Sequence, residues 1–204
     1  MKKIRSAAIA LLAAATLVVL SGCAAAQMFG EGLNRALNGV SATMTTYTQN
    51  GEPIDKVQGK SFHIAQDTRF NTVDSDGTSK EDSAVLLISL GNSHISHVGS
   101  SMVLAQDGIV DVTQALGNKV AFKNNESGTP WLNDLLEYNR NLWQGKGKTI
   151  LVRSQNGTPI AVYAGNEVEI FATDVPKSTC FRVDGKYLFV YRSDYTTYDN
   201  DLLK

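Results

Sequence analysis

The pattern of apolar and polar residues divides the chain into an apolar leader, a short stretch of small residues and a long body rich in strand signals. Residues 6–20 are almost entirely Ala, Ile, Leu and Val. From Val40 onward, apolar and polar residues alternate in short runs, as at 40–45, and this periodicity is typical of strands with one buried face. The nearly continuous apolar run 84–90 predicts a strand that is buried on both faces.

Pairs of turn-forming residues separate these runs. Asn50-Gly51, Asn156-Gly157 and Asp184-Gly185 each lie between two β-prone segments, and Asp107-Gly108 follows another. Because Asn, Asp and Gly tolerate the positive φ angles of type I′ turns, these pairs predict β-hairpins. The longest irregular stretch, 66–83, is polar and predicts a long loop.

One segment has helical periodicity instead. Thr129 can cap a helix, Pro130 suits its first turn and Gly145 can close its end. Between them, apolar residues recur at helical spacing (Trp131, Leu132, Leu135, Leu136, Leu142 and Trp143). The sequence therefore predicts a mainly β, β-rich α+β fold. We expect an antiparallel sandwich or partly open barrel of roughly nine strands, with one amphipathic helix of about 14 residues packed on it.

The leader has the features of an export signal. Lys2, Lys3 and Arg5 precede an apolar core of about 15 residues, whereas a membrane-spanning helix needs roughly 20. At its end, Leu20-Ser21-Gly22-Cys23 resembles the lipobox of bacterial lipoproteins.

The lipobox resemblance implies a diacylglycerol on the Cys23 thiol and cleavage between Gly22 and Cys23. Two acyl chains would hold a protein firmly on a membrane, where one chain binds only reversibly. We therefore divide the chain into a signal peptide (1–22), a lipidated tether (23–39) and a single β-rich domain (40–204). The expected location is the extracytoplasmic face of the cell membrane.

Charge excludes two classes of partner. The whole chain has 19 basic and 20 acidic residues, and loss of Lys2, Lys3 and Arg5 with the leader leaves 16 basic residues. The mature chain then carries a formal charge of about −4. This charge argues against nucleic acid as a partner and against binding of anionic lipid through a polybasic segment. Gly145-Lys146-Gly147-Lys148-Thr149 ends like a P-loop, but Leu142 replaces the required first glycine, so no nucleotide is expected.

Cysteine usage leaves no intramolecular disulfide. The chain has two cysteines, and lipidation of Cys23 would leave Cys180 alone. Cys180 lies in a strand-like run, so we interpret it as a small buried apolar residue rather than a nucleophile. The sequence contains no complete catalytic constellation, and no catalytic residue is assigned.

Two groups of polar residues could bind a metal. Asp74 and Asp76, in Asp-Ser-Asp-Gly, resemble part of a calcium loop, but the third acid and the terminal Glu of that motif are missing, so a plain turn is the alternative. His94 and His97 have an odd spacing, which in a strand points them to opposite faces, although His63 could approach in the fold. Calcium is the only cofactor that the sequence suggests.

Aromatic residues near the C-terminus form the candidate ligand surface. Tyr187, Phe189 and Tyr191 share one face of a predicted strand, and Tyr195 follows. Exposed tyrosines suit recognition of a glycan or a peptide, whereas packing inside the sheet is the alternative. We assign Tyr187, Tyr191 and Tyr195 as candidate ligand-binding residues.

Several linear phrases resemble an uncharacterised family of exported lipoproteins from Gram-positive bacteria. They include 67–83, 97–101, 153–160, 174–179 and 187–196. The resemblance covers nearly the whole mature chain and implies an anchor on the cytoplasmic membrane, without an activity or a site.

Together these features predict a membrane-anchored lipoprotein whose domain is a non-catalytic binding or scaffolding module of the cell envelope. The expected partner is an envelope polymer, a peptide or an envelope protein. Two alternatives remain open: a hydrolase that acts on the cell wall through acidic residues, and a binding module that depends on a divalent cation.

Overall fold

A computed structural model describes residues 31–115 and 143–203. In these residues it contains twelve strands in three antiparallel sheets, two α-helices and two short 3-10 helices. The strands are β1 (Ser41–Tyr47), β2 (Pro53–Lys60), β3 (Phe62–Gln66), β4 (Leu86–Leu90), β5 (Ser93–His97), β6 (Ser101–Gln106), β7 (Lys148–Arg153), β8 (Pro159–Gly165), β9 (Val168–Ala172), β10 (Ser178–Val183), β11 (Lys186–Tyr191) and β12 (Asp194–Asp199). The helices are α1 (Glu31–Leu37) and α2 (Val112–Ala115), and the 3-10 helices are Thr68–Phe70 and Asn200–Leu202. The predicted β-rich antiparallel fold is confirmed.

A six-stranded sheet forms the centre of the molecule, in the order β2-β1-β6-β11-β10-β9. Its middle strands are buried on both faces because another layer covers each side. In β6, for example, Met102 and Leu104 contribute to one core while Val103, between them, contributes to the other. The sheets therefore stack face to face as a sandwich and do not close into a barrel.

The first face of the central sheet is covered by the sheet β3-β4-β5 and by α1. Leu33 and Leu37 anchor the helix in this core, with 3% and 1% of their surface exposed. Asn34 closes the edge of β3: its side-chain amide donates to the Ile64 carbonyl (3.2 Å), and its Oδ1 accepts from the Ile64 amide (2.8 Å). Residues 33–37, predicted from the sequence to be part of the tether, therefore pack in the core of the domain.

The second face is covered by the sheet β12-β7-β8. Ile150 and Val152 of β7 point toward the central sheet, whereas Leu151 points outward into a third apolar cluster. Val112 of α2 and Trp143 complete that outer cluster, and the Trp143 Nε1 donates to the Thr149 hydroxyl (2.9 Å). Trp143 is the one residue of the predicted helix core 131–143 that lies within the described part of the chain; the rest of that prediction lies outside it.

Three of the predicted hairpin turns lie at the Asn-Gly and Asp-Gly pairs that the sequence indicated. Asn50-Gly51 joins β1 to β2, Asn156-Gly157 joins β7 to β8, and Asp184-Gly185 joins β10 to β11. The last pair has positive φ at both residues (47° and 81°), as a type I′ turn requires. Asp107-Gly108 ends β6, but the chain then leads into α2 rather than into a hairpin.

The prediction for residues 84–90 was wrong in one respect. Leu86 and Ile88 of β4 are buried, but Leu87 and Ser89 between them are partly exposed. β4 is the middle strand of the outer sheet β3-β4-β5, and only one face of that sheet meets the core. An apolar run therefore did not indicate burial on both faces.

Candidate functional site

A polar pocket of about 150 Å³ opens between the central sheet and β8. Its floor is the face of β1 that carries Thr43, Thr45 and Tyr47, in register with Ala105, Val103 and Ser101 of β6. These residues alternate with Ala42 and Met44, which point into the opposite core. The strand period of two thus places three hydroxyl groups on the pocket side.

Asp111 is fixed at the side of this pocket by three hydrogen bonds to one carboxylate oxygen. Its Oδ1 accepts from the Thr113 amide (2.9 Å), the Thr113 hydroxyl (2.7 Å) and the Val162 amide (3.1 Å). The first of these caps the start of α2, as an N-terminal Asp commonly does. The backbone of Asp111 also bridges to Tyr163, which covers the edge of β8.

The second oxygen of Asp111 is buried without a hydrogen-bond donor among the described residues. Gln114 lies beside the carboxyl group and favours its ionised form, but no donor meets hydrogen-bond geometry at Oδ2. Burial dominates and raises the pKa of Asp111 above its ordinary value. Buried polar groups almost always have partners, so an unpaired carboxylate oxygen beside a cavity marks this place as exceptional.

Two tyrosines complete the wall of the pocket. Tyr163 is 2% exposed and Tyr47 is 5% exposed, and both line the cavity. Burial raises the pKa of each hydroxyl, and the nearby charge of Asp111 raises it further. Tyr163 packs in the second core and also lines the pocket, and its hydroxyl makes no hydrogen bond to the residues that the structure describes.

The rest of the lining combines polar and charged groups. Lys56 of β2 and Asp107, next to the end of β6, supply opposite charges. The Gln58 Nε2 donates to the Asp107 carboxylate (3.5 Å), and the Gln106 Oε1 accepts from the Tyr187 amide (2.9 Å). The lining is therefore predominantly polar, with Val103, Ala105 and Ile109 as its apolar part.

A second, larger cavity of about 320 Å³ shares Gly108 and Ile109 with the first. Its charged groups already have protein partners: Lys146 pairs with Asp184 (2.6 Å), and the Lys186 ammonium donates to the Gly108 carbonyl (3.2 Å). The Asp111 pocket has the more polar lining of the two, so we take it as the candidate ligand site.

The candidate calcium residues lie in an exposed turn of the loop 66–83. The Asp74 carboxylate pairs with Lys80 (2.5 Å), and the Asp76 carboxylate accepts from the Thr78 amide (2.9 Å), which lowers the pKa of Asp76. Within the described residues, no group of three or more His, Cys, Asp or Glu is placed to hold a metal ion. The calcium hypothesis thus rests on the sequence motif alone.

The structure does not bring the three candidate tyrosines to one surface. Tyr191 is 2% exposed, and its hydroxyl donates to the Ala84 carbonyl (3.1 Å), so its assignment to an exposed ligand surface was wrong. Tyr187 packs against the same core and is half-buried. Tyr195 lies on the other side of the central sheet, edge-on to Phe181 with ring centroids 4.9 Å apart. Packing within the sheet, the alternative interpretation, accounts for Tyr191, whereas Tyr195 keeps 36% of its surface exposed and stays a candidate.

The histidines follow the strand alternation that the sequence predicted. His94 is exposed and hydrogen-bonds Ser89 (3.0 Å), whereas His97 is buried and bonds the Ser100 carbonyl through Nε2 (3.1 Å). His63 pairs in register with Ser89 on the adjacent strand, so it shares the exposed face with His94. The fold thus places two of the three histidines on one solvent-exposed surface.

Cys180 has the buried environment predicted from the sequence. It is 3% exposed in the first core, and burial raises the pKa of its thiol to about 12. A thiol with so high a pKa carries almost no thiolate at neutral pH, so Cys180 is a packing residue. Gly22 and Cys23, the predicted cleavage and lipidation site, lie outside the described residues.

Asp111 is the site residue that sequence reasoning missed. Its one local signal is a single acid inside an apolar run, Ile109-Val110-Asp111-Val112. Such an acid is typical of a helix N-cap, and Asp111 does cap α2. Its position in the lining of a pocket becomes visible only when β1 and β8 pack around it.

The unpaired oxygen leads to a prediction about stability. We expect Asp111→Asn to raise the free energy of unfolding at pH 7 by about 1 kcal/mol, because an amide removes a buried charge while its oxygen keeps the bonds to Thr113 and Val162. The raised pKa of Asp111 means that the folded wild type retains a proton that the unfolded chain loses above its ordinary pKa of 3.8. The wild type therefore loses stability relative to the variant as the pH rises through that value.

Urea unfolding of both proteins at pH 3.5 and pH 7 measures this difference. A gain at pH 7 that shrinks at pH 3.5 is the expected result. The opposite result is a variant whose free energy of unfolding, relative to the wild type, is lower at pH 7 than at pH 3.5. It would mean that the ionised carboxylate stabilises the fold and that other interactions compensate for its burial.

The fold and the pocket define the chain as a layered β-sandwich domain with a ligand-sized polar cavity between two sheets. It belongs to the family described as DUF5052, a domain of unknown function, whose model matches residues 3–203. No curated protein and no solved structure matched the chain. Among the described residues, no helix has the length and apolar character needed to cross a bilayer.

Proposed function

We propose that this protein is an exported bacterial lipoprotein, held on the extracytoplasmic face of the cell membrane by lipid on Cys23. Its β domain is a non-catalytic binding module of the cell envelope. The observation that carries the binding role is the Asp111 pocket, a concave space lined mainly by polar side chains. Ligand sites are typically concave and have a few polar groups that converge on one space.

The anchor is supported by the sequence and is compatible with the fold. Leu20-Ser21-Gly22-Cys23 matches the lipobox pattern, and α1 begins at Glu31, only eight residues after Cys23. At no more than about 3.5 Å per residue, a tether of this length reaches roughly 28 Å. The domain would therefore stay close to the membrane, where envelope polymers and envelope proteins are its neighbours.

A hydrolase is the second candidate, because the pocket brings two carboxylates, Asp107 and Asp111, to one cavity. Glycosidases use such pairs, with a buried acid of raised pKa and a second, ionised carboxylate. However, the Asp111 Oδ1 already accepts three hydrogen bonds from the chain, and its Oδ2 is enclosed. Since neither oxygen is presented to a substrate, the geometry favours binding over proton transfer.

Binding to isolated envelopes tests the proposed function. We expect a soluble chain, lacking residues 1–22 and carrying Cys23→Ser, to sediment with envelope preparations of the producing bacterium. Thr43→Phe should abolish this retention, because its larger ring would project from the pocket floor into the cavity. Ser96→Phe is the matched control, since Ser96 is exposed on the outer sheet, on the other side of the central sheet from the pocket.

Both variants must first show the unfolding midpoint of a folded domain. Equal retention of Thr43→Phe and Ser96→Phe would show that the envelope is bound at another surface. Release of soluble sugar fragments by the wild type, lost in Asp107→Asn, would instead promote the hydrolase.

A further inference from the structure

We propose that the Asp111 pocket takes one hydroxylated six-membered ring, as in a sugar residue. This inference rests on the proposed binding function and names the chemical class of the ligand. It is argued from the size of the cavity, from the hydrogen-bonding character of its walls and from its charge.

The size of the cavity sets the scale of the ligand. A volume of about 150 Å³ is that of a protein cavity that binds benzene. A bare six-membered ring therefore fits. A hexose has twice as many heavy atoms as benzene, so its outer substituents would extend through the open side, and a second ring would lie outside. Because the cavity is open at one side, the ring can belong to a free monosaccharide or stand at the end of a longer glycan.

The walls match hydroxyl groups better than they match any other common polar group. Six lining side chains carry a donor and an acceptor in the same hydroxyl or amide: Thr43, Thr45, Tyr47, Tyr163, Gln106 and Gln114. A sugar hydroxyl also donates and accepts at one atom, so it can pair with such a group from either direction. The exception is the Gln106 Oε1, which already accepts from the Tyr187 amide. An ammonium only donates and a phosphate only accepts, so either would leave half of this capacity unused.

Charge supports a neutral ligand. The charges of Lys56 and Asp107 offset each other around the pocket. Burial raises the pKa of Asp111, which disfavours a negative charge on its carboxyl group.

Asp111 acts as a positioning residue: it holds the segment before α2 against β8, next to Tyr163, through the Val162 hydrogen bond and the backbone bridge. The apolar side chains of Val103, Ala105 and Ile109 provide a surface for the C–H groups of the ring.

Tyr163 offers the cleanest test because its hydroxyl can be removed without removing the ring that packs in the core. We expect glucose, N-acetylglucosamine or myo-inositol to bind the soluble chain, measured by calorimetric titration. Tyr163→Phe should weaken that binding roughly threefold to tenfold, the effect of losing one neutral hydrogen bond. Tyr191→Phe is the matched control, because its hydroxyl lies in the opposite core and bonds the Ala84 carbonyl.

Further probe compounds distinguish a free monosaccharide from the end of a glycan, and a polyol from other classes of ligand. Methyl glycosides of glucose and N-acetylglucosamine keep the ring but block the anomeric hydroxyl. Undiminished binding of these glycosides indicates the end of a glycan, and loss of binding indicates a free monosaccharide. Cyclohexanol and methylammonium chloride provide a ring with one hydroxyl and a cation. Both should bind far more weakly than the polyols.

Three results would overturn the inference. Equal sugar affinity in Tyr163→Phe and Tyr191→Phe would place the sugar outside this pocket. Binding of methylammonium without sugars, again reduced by Tyr163→Phe, would refute the ligand class while leaving the pocket as a binding site. If no probe binds, yet Thr43→Phe still abolishes envelope retention, the ring is excluded and the proposed function stands; if envelope retention is also independent of Thr43, both fail.

Discussion

Replacing Phe181 with alanine is expected to lower the free energy of unfolding by about 3–5 kcal/mol, the usual cost of deleting a fully buried aromatic ring. Phe181 lies on β10 in the core between the central sheet and the sheet β12-β7-β8, and none of its surface is exposed. Its ring also meets Tyr195 edge-on at 4.9 Å, so the deletion removes an aromatic pair as well as buried area.

Urea unfolding with an unchanged m-value is the measurement. Phe189→Ala should cost a similar amount, because Phe189 is equally buried on the opposite face of the same sheet. Phe70→Ala is the control: 56% of that residue is exposed, so its loss should change stability by no more than about 0.5 kcal/mol. A loss below 1 kcal/mol for Phe181→Ala would mean that the second core does not hold the layers together.

Loss of membrane retention is the second large effect that we expect, and it follows from Cys23→Ser. A serine hydroxyl cannot form the thioether to diacylglycerol, so the protein should be released or should persist as a precursor heavier by residues 1–22. Fractionation of cells followed by mass measurement separates these outcomes. Cys180→Ala removes the other cysteine, which is buried and 3% exposed, and should leave retention unchanged. Full membrane retention of an unlipidated Cys23→Ser protein would refute the anchor.

The elements that local chemistry determines were predictable from the sequence. The hairpin at Asp184-Gly185 needs only two residues that tolerate positive φ between two apolar runs, and both signals are adjacent in the chain. The opposite orientations of His94 and His97 follow from the strand period alone. The buried, unreactive state of Cys180 likewise followed from its strand-like neighbours.

Features that depend on tertiary packing were not predictable in the same way. α1 is only seven residues long, too short to be stable alone, and it forms because Leu33 and Leu37 are buried against the sheets. The run at β4 is apolar on both faces, but only the sheet order shows that one face has no covering layer. Local sequence carries no information about either neighbour.

The candidate site was missed for the same reason. Its walls come from Thr43 on β1, Ala105 on β6 and Tyr163 on β8, which lie far apart in the chain. Each of these residues reads as an ordinary member of a strand. Only the closure of two sheets over Asp111 converts them into a pocket, so the site is a property of the layer packing.

If the chain is anchored through Cys23 as proposed, the attachment of α1 to the edge of β3 would set the direction in which the pocket faces. Asn34 fixes the helix to the sheet on one side of the central layer, whereas the pocket lies on the other side. A protein anchored near that edge would direct its pocket away from the anchor and toward the cell wall. Confined to a shell a few nanometres deep, it would meet surface polymers at a high effective concentration, so that even millimolar affinity for one ring would keep the pocket occupied.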